Sequence, residues 1–277
     1  MGLVTTNEML HDAMKNHYAI AAFNIENMEM AQGVISAAVK TEYPVIIATS
    51  QSSLKYAEPE VYFGFINAMA EKIKVPIALH LDHSKSIELI LKVLKAGYTS
   101  VMIDGSQLNY NENISITKET KKLCDIFDIP VEAELGVILG KKTDTTTQIM
   151  LTKPETAVDF IEKTNCNSLA VSIGNKHGLY KSKPNLDFER LKQIRSQVDI
   201  PLVLHGSSDI PDEDIKKCVK LGINKFNFAT ELRCAFTSAM NEYMKNNSNA
   251  IDPREYLAAA RDDVEKICIE KIKLIGK

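Results

Sequence analysis

Eight short runs rich in Val, Ile, Leu and Ala constrain this chain more than any other feature: residues 19–24 (AIAAFN), 44–50, 75–82, 99–104, 129–136, 168–174, 200–206 and 223–228. Most are nearly continuous in apolar residues, the pattern of a strand buried on both faces. Between them lie stretches such as 86–97 (SIELILKVLKAG) and 212–222 (DEDIKKCVKLG), whose apolar residues recur at helical spacing and which end in Gly97 and Gly222. Strands of this kind alternating with amphipathic helices predict a parallel sheet covered by helices. Eight such units in 277 residues favour a single (β/α)8 barrel over residues 1–277. An open doubly wound sheet is the competing arrangement, but no early GxGxxG supports it. The stretch after the last run, ending in DPREYLAAARDDVEKICIEKIKLIGK, predicts a helical C-terminal extension that packs on the barrel or on a second subunit.

Composition narrows the partners. With 33 basic and 36 acidic residues, the chain lacks the charge bias of a nucleic-acid binder or of a protein that lies on anionic membranes. Five scattered cysteines without a CxxC pair fit a reducing, cytoplasmic setting. The first residues, MGLVTTNEMLHDAMKN, read as an amphipathic helix rather than a secretory signal, and no apolar run is long enough to span a bilayer.

The polar residues that close the apolar runs carry the chemistry, because barrel active sites form at the C-terminal ends of the strands. In order they are Asn24, Ser50, Asp82 with His83, Asp104, Glu134, His177 just past a glycine turn, His205, and Asn227 with Thr230. His83, His177 and His205 come from three different strand ends, and three converging imidazoles with open positions are a usual setting for catalytic zinc. Each histidine taken alone also fits an ordinary rim or core position. His80 shares a strand face with Asp82 one layer lower, which predicts a satisfied interior histidine. Asp82 suits general acid–base work or, alternatively, the orienting of a metal-bound imidazole. Asp104, Glu132 and Glu134 suit either a second, oxygen-rich metal position or partners for interior lysines. GNKHGLYK (174–181), HGSSD (205–209) and NFATE (227–231) offer glycine amides and a helix start where barrels bind phosphate. Ser208 or Asp209 is equally expected to cap the helix after HGSSD. Lys181 and Lys225 read as phosphate contacts or as solvated lysines.

With LHLDH, VMIDGS, VEAELG, IGNKHGLYK, PLVLHGSSDIPDE and NKFNFATELR in this order, the chain resembles the class II metal-dependent ketose-bisphosphate aldolases, over nearly its whole length. The wording of IGNKHGLYK, HGSSD and NFATEL is nearest the tagatose-bisphosphate branch, with fructose-bisphosphate members close. The resemblance implies that His83, His177 and His205 bind zinc, that Asp82 is the acid–base group at the bond made or broken, and that Asp104 and Glu134 offer an alternate metal site. It further implies that Gly178, Gly206, Ser208, Asn227 and Thr230 hold dihydroxyacetone phosphate, with Asn24 and Lys181 also counted as substrate contacts. Ser50 and Arg254 match contacts to the other phosphate, Arg254 across a dimer interface. A sodium site near Lys176, Gly178 and Gly206 and a homodimer or homotetramer follow from the same likeness.

The departures fall in the loop after the fifth run. Many members carry a glutamate there that exchanges the C3 proton of dihydroxyacetone phosphate. Here the segment reads ILGKKTD: Lys142 stands in the glutamate's place, and Asp144 is the next carboxylate after Glu134. In addition, QSS (51–53) replaces a glycine-containing turn, and Ser84 follows His83. Three functions fit these residues: a zinc aldolase using Asp144 or a water as the loop base, a related lyase on another phosphorylated sugar or sugar acid, and a non-catalytic aldolase-like subunit. A metal-dependent hydrolase on the same barrel would carry a His-x-His pair in AAFNIEN, which has none.

Overall fold

The structure, a computed structural model, describes residues 2–136, 151–178, 180 and 184–276. Eight parallel strands close into a barrel in sequence order: β1 (Ile20–Asn24), β2 (Val45–Ser50), β3 (Ile77–Ser84), β4 (Ser100–Ile103), β5 (Val131–Leu135), β6 (Ser168–Val171), β7 (Leu202–Leu204) and β8 (Ile223–Phe228). β8 pairs with β1 through Ile20 beside Lys225 and Ala22 beside Asn227, which completes the ring. Each strand matches one of the eight apolar runs. β7 shrinks to three residues, because the chain beyond Leu204 turns into the glycine loop at Gly206.

Helices cover the outside: α1 (Thr6–Lys15), α2 (Met28–Thr41), the short α3 (Ser53–Tyr56), α4 (Pro59–Ala70), α5 (Ile87–Ala96), α6 (Tyr110–Asp125), α7 (Pro154–Thr164), α8 (Phe188–Arg195), α9 (Asp212–Lys220), α10 (Thr230–Asn246) and α11 (Pro253–Ile275). α5 shows why these segments stop where they do. The Ser86 side chain accepts from the Leu89 amide at its start, and Gly97 closes it in the left-handed region at φ 105°. α9 departs from expectation: neither Ser208 nor Asp209 caps it. The helix begins later, with Pro211 at the N-cap and Asp212, Glu213 and Asp214 in the first turn, where acids favour the positive end of the helix. Ser208 and Asp209 are thereby free to hold neighbouring loops.

The main core lies between strands and helices, with Phe23, Ile47, Leu79, Val101, Phe160 and Phe226 among its fully buried members. A second cluster closes the N-terminal end of the barrel, where Met9, Leu10 and Ala13 of α1 pack against Ile20, Ala22, Ile46 and Ala78. The C-terminal extension packs on its own chain. α11 lies against α2 and α10, and Gly33 permits the approach, since a Cβ there would stand 2.8 Å from the Arg261 carbonyl oxygen. The site is therefore left open at one end only, at the C-terminal mouth.

Candidate active site

His83 is presented by an irregularity. The β3–β4 register shifts between Leu81 and Ser84, and His83 takes φ 50°, a left-handed conformation that costs a side-chain-bearing residue energy and is characteristic of functional positions. The bulge turns its ring toward those of His177, in the loop after β6, and His205, just after β7. Ring centroids lie 4.9 Å (His83 to His177), 4.6 Å (His83 to His205) and 6.1 Å (His177 to His205) apart.

Hydrogen bonds fix which nitrogens face inward. His83 Nδ1–H donates to Asp104 Oδ2 at 2.9 Å, and His205 Nε2–H donates to Glu132 Oε1 at 2.7 Å. Each ring thus directs its remaining lone pair, on His83 Nε2 and His205 Nδ1, toward the space between them, and both atoms are buried without a hydrogen-bond partner. Buried unpaired nitrogens are costly unless something else binds them, and imidazoles oriented by carboxylates are how proteins present metal ligands. Asp82, His83 and His205 each place a ligand atom within 4.8 Å of the others, as do His83, Asp104 and Glu134. The donor set fits a divalent cation.

Electrostatics point the same way. Burial would lower the His83 imidazolium, but the surrounding Asp82, Asp104 and Glu134 carboxylates override it and raise its pKa to about 9, so Nε2 draws either a proton or a metal ion in its place. Burial and the neighbouring Asp104 push Glu134 up to about 8. Burial works against the charged forms of Asp82, Asp104 and Glu132 too, yet their cationic and hydrogen-bonding neighbours keep all three well below the usual carboxylate range. Four carboxylates thus crowd a buried site in which Lys225 is the one ammonium bonded to them among the described residues. A site with that surplus of negative charge attracts a proton or a metal ion.

Asp82 stands apart from the orienting carboxylates. Its Oδ2 accepts from Asn24 Nδ2 at 2.8 Å and its Oδ1 from Asn227 Nδ2 at 3.2 Å, while Oδ1 lies 3.9 Å from His83 Nε2 and 4.0 Å from His205 Nδ1. Asp104 and Glu132, not Asp82, orient the imidazoles, which leaves Asp82 facing the cavity. That cavity, of about 500 Å³, is lined by Asn24, Ser50, Asp82, His83, His177, Gly178, His205, Gly206, Ser208, Asn227 and Thr230, so most of the residues singled out in the sequence meet there. α10 begins at the cavity wall without a side-chain cap, leaving its first amides available to an anion, and the Ser208 hydroxyl receives the Ala229 amide at 3.4 Å.

Several expectations are redirected. Lys225 is neither solvated nor a phosphate contact. It is wholly buried, donating to Glu132 Oε2 at 2.7 Å and to His80 Nε2 at 3.5 Å. Glu132 is therefore the partner of an interior lysine, while Asp104 and Glu134 stay beside His83. His80 is the satisfied interior histidine expected, with Nδ1 on Ser100 Oγ at 2.8 Å. Arg254 lies at the exposed start of α11, bound to Asp252, and is not among the cavity residues. Asp144, Lys142 and Lys181 fall outside the described residues. Gln51 and Ser52, noted in the sequence only as part of the QSS departure, also line the cavity, as do Lys55 and Arg233, which sequence reading overlooked. Arg233 follows Thr230 by one helical turn, the spacing that could have exposed it, and it pairs with Glu26 after β1.

A closed parallel eight-stranded barrel with three imidazoles and four carboxylates at its C-terminal mouth defines a metal-site α/β-barrel enzyme. Residues 4–277 match the family described as fructose-bisphosphate aldolase class-II, and the chain belongs to that family. Its members are metal-dependent lyases that act on phosphorylated sugars. Among solved structures, the YdjI aldolase from Escherichia coli K12 is 39% identical with a TM-score of 0.88, over 99% of this chain and 97% of that one. A putative fructose-1,6-biphosphate aldolase from Coccidioides immitis is 27% identical with a TM-score of 0.87, over 97% and 94% of the two chains. Fructose-bisphosphate aldolase from Campylobacter jejuni, at 24% identity, shares the fold with a TM-score of 0.85 over 99% and 95%.

Proposed function

We propose that this chain is a zinc-dependent aldolase that reversibly cleaves a ketose 1,6-bisphosphate, tagatose or fructose, into dihydroxyacetone phosphate and glyceraldehyde 3-phosphate. The observation that carries the reading is the Asp82 carboxylate, held by two asparagine amides beside two inward-facing, unpartnered imidazole nitrogens. His83, His177 and His205 would hold the zinc, and Asp104 with Glu134 would give it an alternate position. Bound there, zinc supplies a Lewis acid that draws charge from the substrate's ketone.

The chain's own groups do the rest. On cleavage Asp82 takes the C4 hydroxyl proton, the C3–C4 electron pair stays with the ketone half, and a proton is then delivered to C3; in condensation Asp82 returns its proton to the aldehyde oxygen. Its cationic neighbours keep Asp82 ionised, the form in which a carboxylate can take a proton. Gly178, Gly206, Ser208, Asn227 and Thr230 receive the dihydroxyacetone phosphate end, with sodium held by the backbone near Lys176, Gly178 and Gly206. Asp144 is the candidate group for C3, and Lys181 a further phosphate contact. Ser50 with Lys55 and Arg233 offers hydroxyl and cationic contacts to the far end of the substrate. Arg254 reaches a site only in a homodimer or homotetramer, where it would serve the neighbouring copy.

The test is triose phosphate release from fructose and tagatose bisphosphates, measured with a coupled dehydrogenase with and without chelator. Cleavage abolished by chelator and restored by zinc is expected; chelator-resistant cleavage would sink the mechanism. A second reading, a lyase on another phosphorylated sugar or sugar acid, is favoured by the cationic Lys55 and Arg233 in a cavity that Arg254 does not line. Failure of the zinc-loaded protein to cleave either bisphosphate would leave this reading and the non-catalytic subunit, and turnover of another phosphorylated sugar or sugar acid would select between them.

A further inference from the structure

Tyr180 does not line the cavity, yet it joins the two glycine loops that do. Its phenol oxygen accepts the Lys176 amide at 2.7 Å and donates to the Gly206 carbonyl at 3.1 Å, so one hydroxyl spans the loops after β6 and β7. Its own amide donates to Asp209 Oδ2 at 2.9 Å. Asn175 adds a parallel tie, giving its side-chain amide to the His205 carbonyl at 2.9 Å. The loops are pressed together: Gly206 has φ 63°, and a Cβ there would stand 2.1 Å from the Lys176 carbonyl oxygen. Asp209, also left-handed at φ 66°, donates its amide to Glu231 Oε1 at 3.2 Å, and Glu231 pairs with Lys271 of α11 at 2.9 Å. The clasp is thus anchored through α10 to the long C-terminal helix. Burial raises the phenol's pKa, so it remains a donor at neutral pH.

We infer that Tyr180 and Asp209 are positioning residues for the substrate phosphate, fixing the spacing between the backbone at Gly178 and the backbone at Gly206. Neither touches the phosphate itself. Amides that converge on an anion are effective only when their separation is set beforehand, because any ordering left to the moment of binding subtracts from affinity. A phenol bonded to both loops sets it. This rests on the proposed reading that dihydroxyacetone phosphate sits against these loops.

The experiment is calorimetric binding of dihydroxyacetone phosphate to the zinc-loaded full chain, with zinc content read after dialysis. Tyr180→Phe removes only the bridging hydroxyl and is expected to raise Kd about tenfold, or about 1.4 kcal/mol, with zinc content unchanged. Asp209→Ala is expected to raise Kd as well, and Asp209→Asn, which keeps an acceptor oxygen, to restore most of it. Should Tyr180→Phe not fold, the Asp209 pair carries the test. Wild-type binding with both Tyr180→Phe and Asp209→Ala within about twofold of it overturns the clasp alone. Equal loss of zinc and ligand overturns it in favour of a general structural staple. No binding by the wild type overturns the clasp together with the reading on which it rests.

Discussion

Replacing Lys225 with methionine tests the buried charge network most sharply. Lys225 is 0% exposed and its partner Glu132 2%, with 2.7 Å between Nζ and Oε2. At an effective dielectric of about 20, unit charges that close attract by about 6 kcal/mol, and removing one partner of a buried pair costs about 3–5 kcal/mol because the other charge is stranded. Lys225→Met should therefore lower unfolding free energy by about 3–5 kcal/mol in urea. The same change should weaken zinc about 10–100-fold in a chelator competition, because Glu132 also holds the His205 ring. The double variant Lys225→Met with Glu132→Gln carries no stranded charge, so it should be more stable than the sum of the two single losses. Its zinc affinity should remain low, since an amide is a poorer acceptor for the imidazole N–H. Strictly additive stability losses, or a Lys225→Met protein within about 1 kcal/mol of wild type, would refute the ion-pair argument.

Asp82→Asn keeps the shape of the side chain while removing the base, so kcat should fall about 10²–10⁴-fold with bound zinc retained; a matching fall in zinc content would reassign Asp82 to metal binding. His80 gives a pH signature. Burial, followed by the Lys225 charge, lowers its pKa from the ordinary value to about 3. A depressed folded-state pKa means that stability is complete above the unfolded value of about 6.5 and is lost on acidification at about 1.4 kcal/mol per pH unit. In chelator, His80→Asn should flatten that limb between about pH 6 and 4.5 by one proton's worth, and identical slopes for the two proteins would contradict it.

How far the sequence could be read depended on how local each signal is. Apolar runs such as PVIIATS announce β2 because burial on both faces leaves its mark in every residue, and Ser86 with Gly97 announces α5 because caps act within one turn. The strand-end rule gathered Asn24, Asp82, His83, His205 and Asn227 correctly, since the barrel converts the end of each strand into one shared mouth. It failed where partners are distant in the chain. Lys225 read as a phosphate contact or a solvated lysine because nothing near it in sequence reveals Glu132, and the pairing of Arg233 with Glu26 is equally invisible there, although its helical spacing from Thr230 was not. Position in the chain alone did not separate Asp82 from Asp104 either, although the family resemblance did. Both follow apolar runs, and the bonds to Asn24, Asn227 and His83 tell them apart.

The polar residues inside the barrel form a continuous thread: Thr6 to Ser100 at 2.9 Å, Ser100 to His80 at 2.8 Å, His80 to Lys225 at 3.5 Å, then Glu132 and His205 at 2.7 Å each. Lysine has only hydrogens to give, so the thread has a direction. Donation runs from Lys225 down through His80 to Ser100 and up to Glu132, whose other oxygen accepts the His205 N–H. The first helix, which does not line the cavity, is thus joined by a chain of hydrogen bonds to a candidate metal ligand, and a bulky extension that displaced Thr6 would disturb packing inside the barrel.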